Sequence, residues 1–123
     1  MRHFIALGAI NGFLAVAFGA FAAHGLKDIL SEGLLTVFQT GVDYQAIHAI
    51  ALLVVGLLGE RGRHRRLTLA GWAFASGILL FSGSLYLLAL TDARWLGVVT
   101  PFGGTAFLIG WAALTWYALR SEA

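Results

Sequence analysis

Residues 67–90 read LTLAGWAFASGILLFSGSLYLLAL and contain no charged side chain. A helix needs about 20 mostly apolar residues to cross the hydrocarbon core of a bilayer, so this stretch is long enough for one crossing. Three further runs share its length and character, at residues 4–26, 40–59 and 98–119, and the second of these can also begin as early as Leu34. The sequence therefore predicts four membrane-spanning helices.

The composition indicates a chain that lies almost entirely in the membrane. Of its 123 residues, 59% are hydrophobic and 11% are charged, whereas a soluble domain carries about a quarter charged residues. The hydrophobicity excludes intrinsic disorder, and the absence of cysteine excludes a disulfide scaffold. The predicted fold class is all-α, an integral membrane antiparallel four-helix bundle in which residues 1–123 form a single transmembrane domain.

Small residues at four-residue spacing indicate how the helices pack. In lipid, such residues let helix backbones approach closely, and short loops place sequential helices side by side. The spacing occurs in the first, third and fourth runs, at Gly8 and Gly12, Ala15, Gly19 and Ala23, Ala73 and Gly77, and Ala106 and Gly110. We expect most of these faces to be used within the chain, while homo-oligomer formation stays open.

The beginning of the chain also fits a secretory signal peptide, because Arg2 precedes the apolar run and Ala20-Phe21-Ala22 is similar to a cleavage site. The apolar run is longer than the apolar core of such a peptide. We therefore expect it to be a membrane span.

The basic residues predict the orientation. With four crossings, both termini and the loop at residues 60–66 lie on one side, and that side carries six of the eight basic residues: Arg2, Arg61, Arg63, Arg65, Arg66 and Arg120. Lys and Arg are enriched in cytoplasmic loops, so we expect both termini to be cytoplasmic and the membrane to be a bacterial inner membrane. The loop arginines fit contacts to anionic headgroups better than a nucleic-acid site.

Polar residues within the spans gather in the predicted outer half of the bundle. Such residues are costly in lipid and are therefore informative. They are His24 in the first run, Asp43, Tyr44, Gln45 and His48 in the second, Ser82, Ser84 and Tyr86 in the third, and Thr100 at the start of the fourth. Asn11 alone is expected toward the inner half.

Two interpretations of this polar cluster stay open. Tyr44 and Gln45 share a helix face with His48, whereas Asp43 points elsewhere and is more easily paired with His24 or with a polar side chain of the third helix. The cluster is either a hydrogen-bonded network that fixes the helix packing, or an outward-facing pocket or proton-handling site.

Catalytic and cofactor sites are not indicated. A haem held by two histidines needs them at similar depth, and His24 and His48 are expected at different depths. His24, Asp43 and His48 lack a diagnostic metal-ligand spacing, and the chain has no nucleophile motif, phosphate-binding loop or dinucleotide-binding turn. We expect a protein that is not an enzyme and that holds no metal or cofactor.

Several ordered motifs resemble those of a known family. They are FGAFAAHGL at residues 18–26, FQTGVDYQAIHA at 38–49, FSGSLY at 81–86, TPFGG at 100–104 and Gly110-Trp111. The chain is similar to the YgdD / transmembrane-protein-256 family of small four-helix membrane proteins, whose function is unknown. The resemblance implies no catalytic residue, marks every member of the cluster except Asp43 as a motif position, and implies that position 43 varies.

Two functions are therefore carried forward. The first is a non-catalytic accessory or scaffold component of the membrane, which contacts the lipid bilayer and a larger membrane complex or further copies of itself. The alternative is a small transporter, channel or protein that binds lipid or a small molecule through the polar cluster. Nucleic acid is not expected as a partner.

Overall fold

The computed structural model describes residues 1–120, which form four long helices joined by short connections. These are α1 (Arg2–Leu26), α2 (Glu32–Arg61), α3 (Arg65–Thr91) and α4 (Arg94–Arg120). Each is long and apolar enough to cross a membrane, and the described part of the chain contains no strand. The all-α, four-helix fold class is confirmed.

Helix α2 begins at Glu32, close to Leu34, the earlier of the two predicted starts, because its first turn is capped. The Ser31 hydroxyl accepts a hydrogen bond from the backbone N–H of Leu34 at 3.2 Å, which satisfies one of the free donors at a helix start. Glu32 adds a negative charge in the first turn, where the helix dipole favours it. At ~1.5 Å per residue, α2 is about 45 Å long, longer than a hydrocarbon core of about 30 Å.

The connection between α3 and α4 is a tight turn. Asp92 ends α3 in the left-handed region, with φ 56° and its N–H bonded to the carbonyl of Leu88 at 2.7 Å. Its carboxylate also forms an ion pair with Arg94 at 2.7 Å. Helix α4 then starts with a 3₁₀ segment at Arg94–Val98 and becomes α-helical at Thr100–Arg120.

Helices α2 and α3 form the centre of the bundle. Helix α1 packs along α2, α4 packs along α3, and α2 and α3 pack against each other. The central helices bury a larger share of their residues than α1 and α4 do. Sequential helices are thus neighbours, as the short loops predicted.

Glycine allows close backbone approach at some predicted positions and not at others. Gly8 of α1 faces the carbonyl oxygen of Ala49, and an added Cβ would lie 2.8 Å from that oxygen. Gly103 of α4 sits directly against the backbone of Phe81 in α3. Gly12, expected in the same packing stripe as Gly8, has no atom within 4 Å of the position its Cβ would take. The predicted stripe of α1 is therefore only partly used within the chain.

The buried apolar side chains form two clusters at different levels of the bundle. One cluster lies at the end of the bundle that holds both chain ends, here called the inner end, and is centred on Phe4, Leu52, Val55, Leu67 and Phe74. The outer cluster contains Ala22, Leu26, Phe38 and Ala89. The polar side chains of the interior lie between these two clusters along the helices.

Candidate functional site

Four polar side chains are almost completely buried in the bundle. Gln45 and His48 of α2 are each 3% exposed, and Ser82 and Ser84 of α3 are 1% and 4% exposed. Burial of a polar group is costly unless it is hydrogen-bonded. Within residues 1–120, every buried side-chain nitrogen and oxygen has a partner, so the arrangement is internally satisfied.

Gln45 links three helices. Its Nε2 donates to Oδ1 of Asn11 in α1 at 2.9 Å, and its Oε1 accepts from the hydroxyl of Tyr86 in α3 at 2.6 Å. The Asn11 amide also donates to the carbonyl of Leu7 at 2.8 Å. Both ends of the Gln45 amide are thus used, which fixes its orientation and sets the relative height of α1, α2 and α3.

Ser82 ties α3 to α2 at a point where the α3 helix widens. Residues Ile78–Ser82 form a π-helical turn, in which one extra residue is accommodated in the helix. The Ser82 hydroxyl donates to the backbone carbonyl of Gly41 at 2.7 Å. The Tyr86 ring also lies against Gly41, where a side chain would collide with it.

Ser84, two residues further on, faces the opposite neighbour. Its hydroxyl lies 2.6 Å from that of Thr100 at the start of α4 and 2.9 Å from the carbonyl of Phe81. The hydroxyl of Thr100 therefore has a hydrogen-bond partner on α3, so the outer ends of α3 and α4 are joined by a polar contact.

His48 connects α2 to α4. Its Nδ1 lies 2.7 Å from the carbonyl oxygen of Tyr44, and its Nε2 lies 3.0 Å from the indole Nε1 of Trp111. A carbonyl only accepts and an indole N–H only donates, so the proton belongs on Nδ1 and the imidazole is neutral. The ring also stacks on Phe107 with centroids 3.6 Å apart.

The nine predicted cluster residues do not all meet. Gln45, His48, Ser82, Ser84, Tyr86 and Thr100 take part through their side chains, and Tyr44 takes part through its backbone carbonyl. His24 and Asp43 are exposed on the outside of the bundle, and neither has a side-chain hydrogen bond within residues 1–120. Within residues 1–120, Asp43 forms no hydrogen bond with His24 or with a serine or tyrosine of α3, because the hydroxyls of Ser82, Ser84 and Tyr86 are bonded to other groups.

Two participants were not among the predicted residues. Asn11 was expected at a separate depth, and Trp111 was noted only as part of a motif. Asn11 was placed apart from the cluster because Gln45 was expected near the outer end of α2. Since α2 begins at Glu32, Gln45 lies about 20 Å from the outer end of a helix of about 45 Å, and there it meets Asn11. The polar groups therefore extend from the outer end at Thr100 to the middle of the bundle, rather than lying only in the outer half.

The exposed face of α2 changes character along its length. Positions 32, 36, 39 and 43 follow one another at helical spacing and carry exposed Glu32, Thr36, Gln39 and Asp43, which we call the outer polar stripe. The same face continues inward with exposed apolar side chains, including Ile47, Ile50 and Leu57.

The predicted headgroup arginines divide into two sets. Arg63, Arg65 and Arg66 line a cleft of about 580 Å³ together with Trp116, whereas Arg61 is exposed in the same loop and does not line it. Within residues 1–120, no three His, Cys, Asp or Glu side chains are grouped as metal ligands would be.

Comparison with known proteins identifies one family of membrane proteins. The model of the family described as "Protein of unknown function (DUF423)" matches residues 18–104. A UPF0382 membrane protein of Staphylococcus epidermidis is 46% identical over 120 residues, covering 98% of both chains. UPF0382 membrane protein YwdK of Bacillus subtilis is 46% identical over 121 residues, with 98% of both chains covered.

A third relative is similar over the same length. A UPF0382 membrane protein of Haemophilus influenzae is 46% identical over 122 residues, which cover 98% of this chain and 97% of the relative. No solved structure matches the chain. The similarity therefore extends over almost the full length of the curated relatives.

Proposed function

The chain belongs to the DUF423 family of membrane proteins of unknown function, and we propose that it is a non-catalytic accessory or scaffold component of the membrane. The resemblance found in the sequence motifs is confirmed by this family. The protein is an integral membrane four-helix bundle in contact with the lipid bilayer.

The closed hydrogen-bond network of the interior is the observation that carries the proposal. Gln45 and His48 each use both polar ends on other helices or on the backbone. A binding or transport site needs polar groups that are free to receive a ligand. Because these groups are already paired, they fix the positions of the helices, as buried polar residues do in membrane bundles.

The outer polar stripe on α2 supports an accessory role. Counted from the inner end of α2 at Arg61, a hydrocarbon core of about 30 Å reaches roughly to residue 41, so the exposed Asp43 carboxylate lies within reach of lipid tails. A polar side chain is costly there unless it finds a partner or reaches the interface. A second transmembrane helix with hydrogen-bond donors fits this stripe, either from a larger complex or from another copy of the chain.

The distribution of arginine supports one orientation of the protein in the membrane. We place both termini and the loop after α2 in the cytoplasm, in a bacterial inner membrane. The support is the excess of arginine at that end of the bundle, since Lys and Arg favour the cytoplasmic side. A Glu60→Cys variant, labelled from the outside of intact cells, should stay unreactive, while a Trp95→Cys variant should react.

The test is native mass spectrometry of the protein extracted from its own membrane in polymer-bounded lipid discs. We expect an assembly of defined stoichiometry that contains more than one protomer or a second protein. The Asp43→Asn variant should lose the partner, whereas Glu60→Gln, which removes a carboxylate at the other end of α2, should keep it. A single protomer that retains a small molecule would instead favour the transporter or binding alternative.

A further inference from the structure

The cleft beside the α2–α3 loop combines positive charge with an apolar floor. It lies between the start of α3 and the end of α4, has a volume of about 580 Å³, and is lined by Arg63, His64, Arg65, Arg66, Leu69 and Trp116. A second cleft of about 440 Å³ adjoins it and shares Arg63, Arg65 and Leu69, with Thr68 and Trp72 as its other lining residues. Neither cleft has a carboxylate among these residues.

Arg66 is held in place before any ligand arrives. Its guanidinium carbon lies 4.5 Å from the centroid of the Trp116 ring, a cation–π distance. Its backbone N–H donates to Nδ1 of His64 at 3.3 Å, and the His64 ring packs edge-on against Tyr117 at 5.2 Å. Because the contact with Trp116 restricts the Arg66 side chain, less side-chain entropy is lost when its guanidinium binds an anion.

An apolar track leads away from the arginines into the membrane. Arg65, Leu69 and Trp72 follow one another at spacings of four and three residues, and therefore share one face of α3. Leu69 is 46% exposed and Trp72 is 53% exposed. The surface thus has cations at the level of the headgroups and apolar side chains at the level of the acyl chains.

We propose that this cleft is a binding site for an anionic phospholipid, with the phosphate on Arg65 and Arg66 and an acyl chain along Leu69 and Trp72. Planar guanidinium groups match phosphate oxygens in pairs. A choline or ethanolamine headgroup carries its own cation, and this cluster of cations repels it. The site goes beyond the proposed accessory role, which rests on the interior network and on α2.

The experiment is a lipid titration of the delipidated protein in detergent, followed by native mass spectrometry. Phosphatidylglycerol and phosphatidylcholine with identical acyl chains are the two probes. A cationic side chain that contacts an anionic headgroup directly changes the affinity for that lipid by about fivefold. We therefore expect phosphatidylglycerol to bind at least about tenfold more tightly than phosphatidylcholine.

Arginine variants inside and outside the cleft test whether the lipid binds there. Arg65→Gln together with Arg66→Gln should weaken phosphatidylglycerol binding by at least about tenfold, whereas Arg61→Gln, in the same loop but outside the cleft, should change it less than about twofold. Equal losses of phosphatidylglycerol affinity in the double variant and in Arg61→Gln would mean that only the overall positive charge matters, and would overturn the proposal. If the double variant fails to fold, Arg63→Gln, which removes an exposed side chain, provides the same comparison.

A final comparison separates a lipid site from a phosphate site. Inorganic phosphate should compete only weakly, and Trp72→Ala should weaken phosphatidylglycerol binding without changing phosphate binding. If inorganic phosphate binds as tightly as the lipid and Trp72→Ala has no effect, the cleft is a simple anion site and the lipid proposal is wrong. The melting temperature of each variant in detergent is the control for folding.

Discussion

The indole N–H of Trp111 donates to Nε2 of His48 across 3.0 Å and thereby joins α4 to α2. The other imidazole nitrogen is occupied by the carbonyl of Tyr44. A second proton on the ring would have to displace Trp111, because two N–H groups cannot share one hydrogen bond. His48 therefore acts in this structure as a neutral link between helices.

Replacing Trp111 with phenylalanine should destabilise the bundle. The variant keeps an aromatic ring but removes the donor, so that Nε2 of His48 loses its partner. Interhelical hydrogen bonds in membrane proteins contribute about 0.6 kcal/mol on average and up to about 1.7 kcal/mol, and we expect a loss in this range in reversible unfolding from detergent. Trp95→Phe, at a site that is 68% exposed, is the control and should change stability by less than about 0.5 kcal/mol.

The hydrogen bond between Gln45 and Tyr86 should be measurable as an energetic coupling between α2 and α3. In a double-mutant cycle of Gln45→Leu and Tyr86→Phe, the two changes should be non-additive by about 0.6 to 1.7 kcal/mol, because both remove the same 2.6 Å hydrogen bond. Gln45→Leu alone should cost more than Tyr86→Phe, since it also leaves Oδ1 of Asn11 without its hydrogen-bond donor. Additive effects would show that the two side chains act independently.

The close contact between α4 and α3 at Gly103 should not tolerate a side chain at that position. An added Cβ would overlap the backbone of Phe81, and backbone cannot move aside as a flexible side chain can. We expect Gly103→Ala to cost about 1 to 3 kcal/mol and to separate α3 from α4. Gly12→Ala makes the same chemical change where no atom lies within 4 Å, and it should leave the unfolding free energy unchanged or slightly raised.

Asp43 should contribute to partner binding and not to the fold. Its side chain is exposed and lies outside the interior network, so Asp43→Asn should change the unfolding free energy by less than about 0.5 kcal/mol. A large loss of stability in the isolated protomer would place Asp43 inside the structural network after all. The measurement is unfolding of the dissociated protomer, compared with Glu60→Gln.

The number of helices and their order could be predicted because hydropathy and loop length are local properties of the sequence. The sequence left two possible starts for α2, residue 40 and Leu34, since residues 32–39 mix polar and apolar side chains, and the cap made by Ser31 decides where the helix begins. That one boundary shifts the depth of Gln45, and with it the expected neighbour, Asn11.

The members of the polar cluster were predicted from their depth and from the helix faces they share, and neither property specifies which neighbouring helix a side chain contacts. Ser82 and Ser84 are at nearly the same depth, yet they contact α2 and α4 respectively. Trp111 could not be recognised as a participant, because a tryptophan in an apolar span is also typical of a residue that faces lipid. Its role depends on the rotation of α4 about its axis, which packing against Phe74 and His48 determines.

The π-helical turn at Ile78–Ser82 has a consequence for how this chain tolerates changes in length. One extra residue in a helix rotates everything beyond it by about 100° relative to an uninterrupted α-helix. Phe74 and Gly77 lie before the turn, and Ser84 and Tyr86 lie after it. Deleting one residue within the turn would restore a regular helix but leave the two halves of α3 out of phase, so that only one half could keep its neighbours.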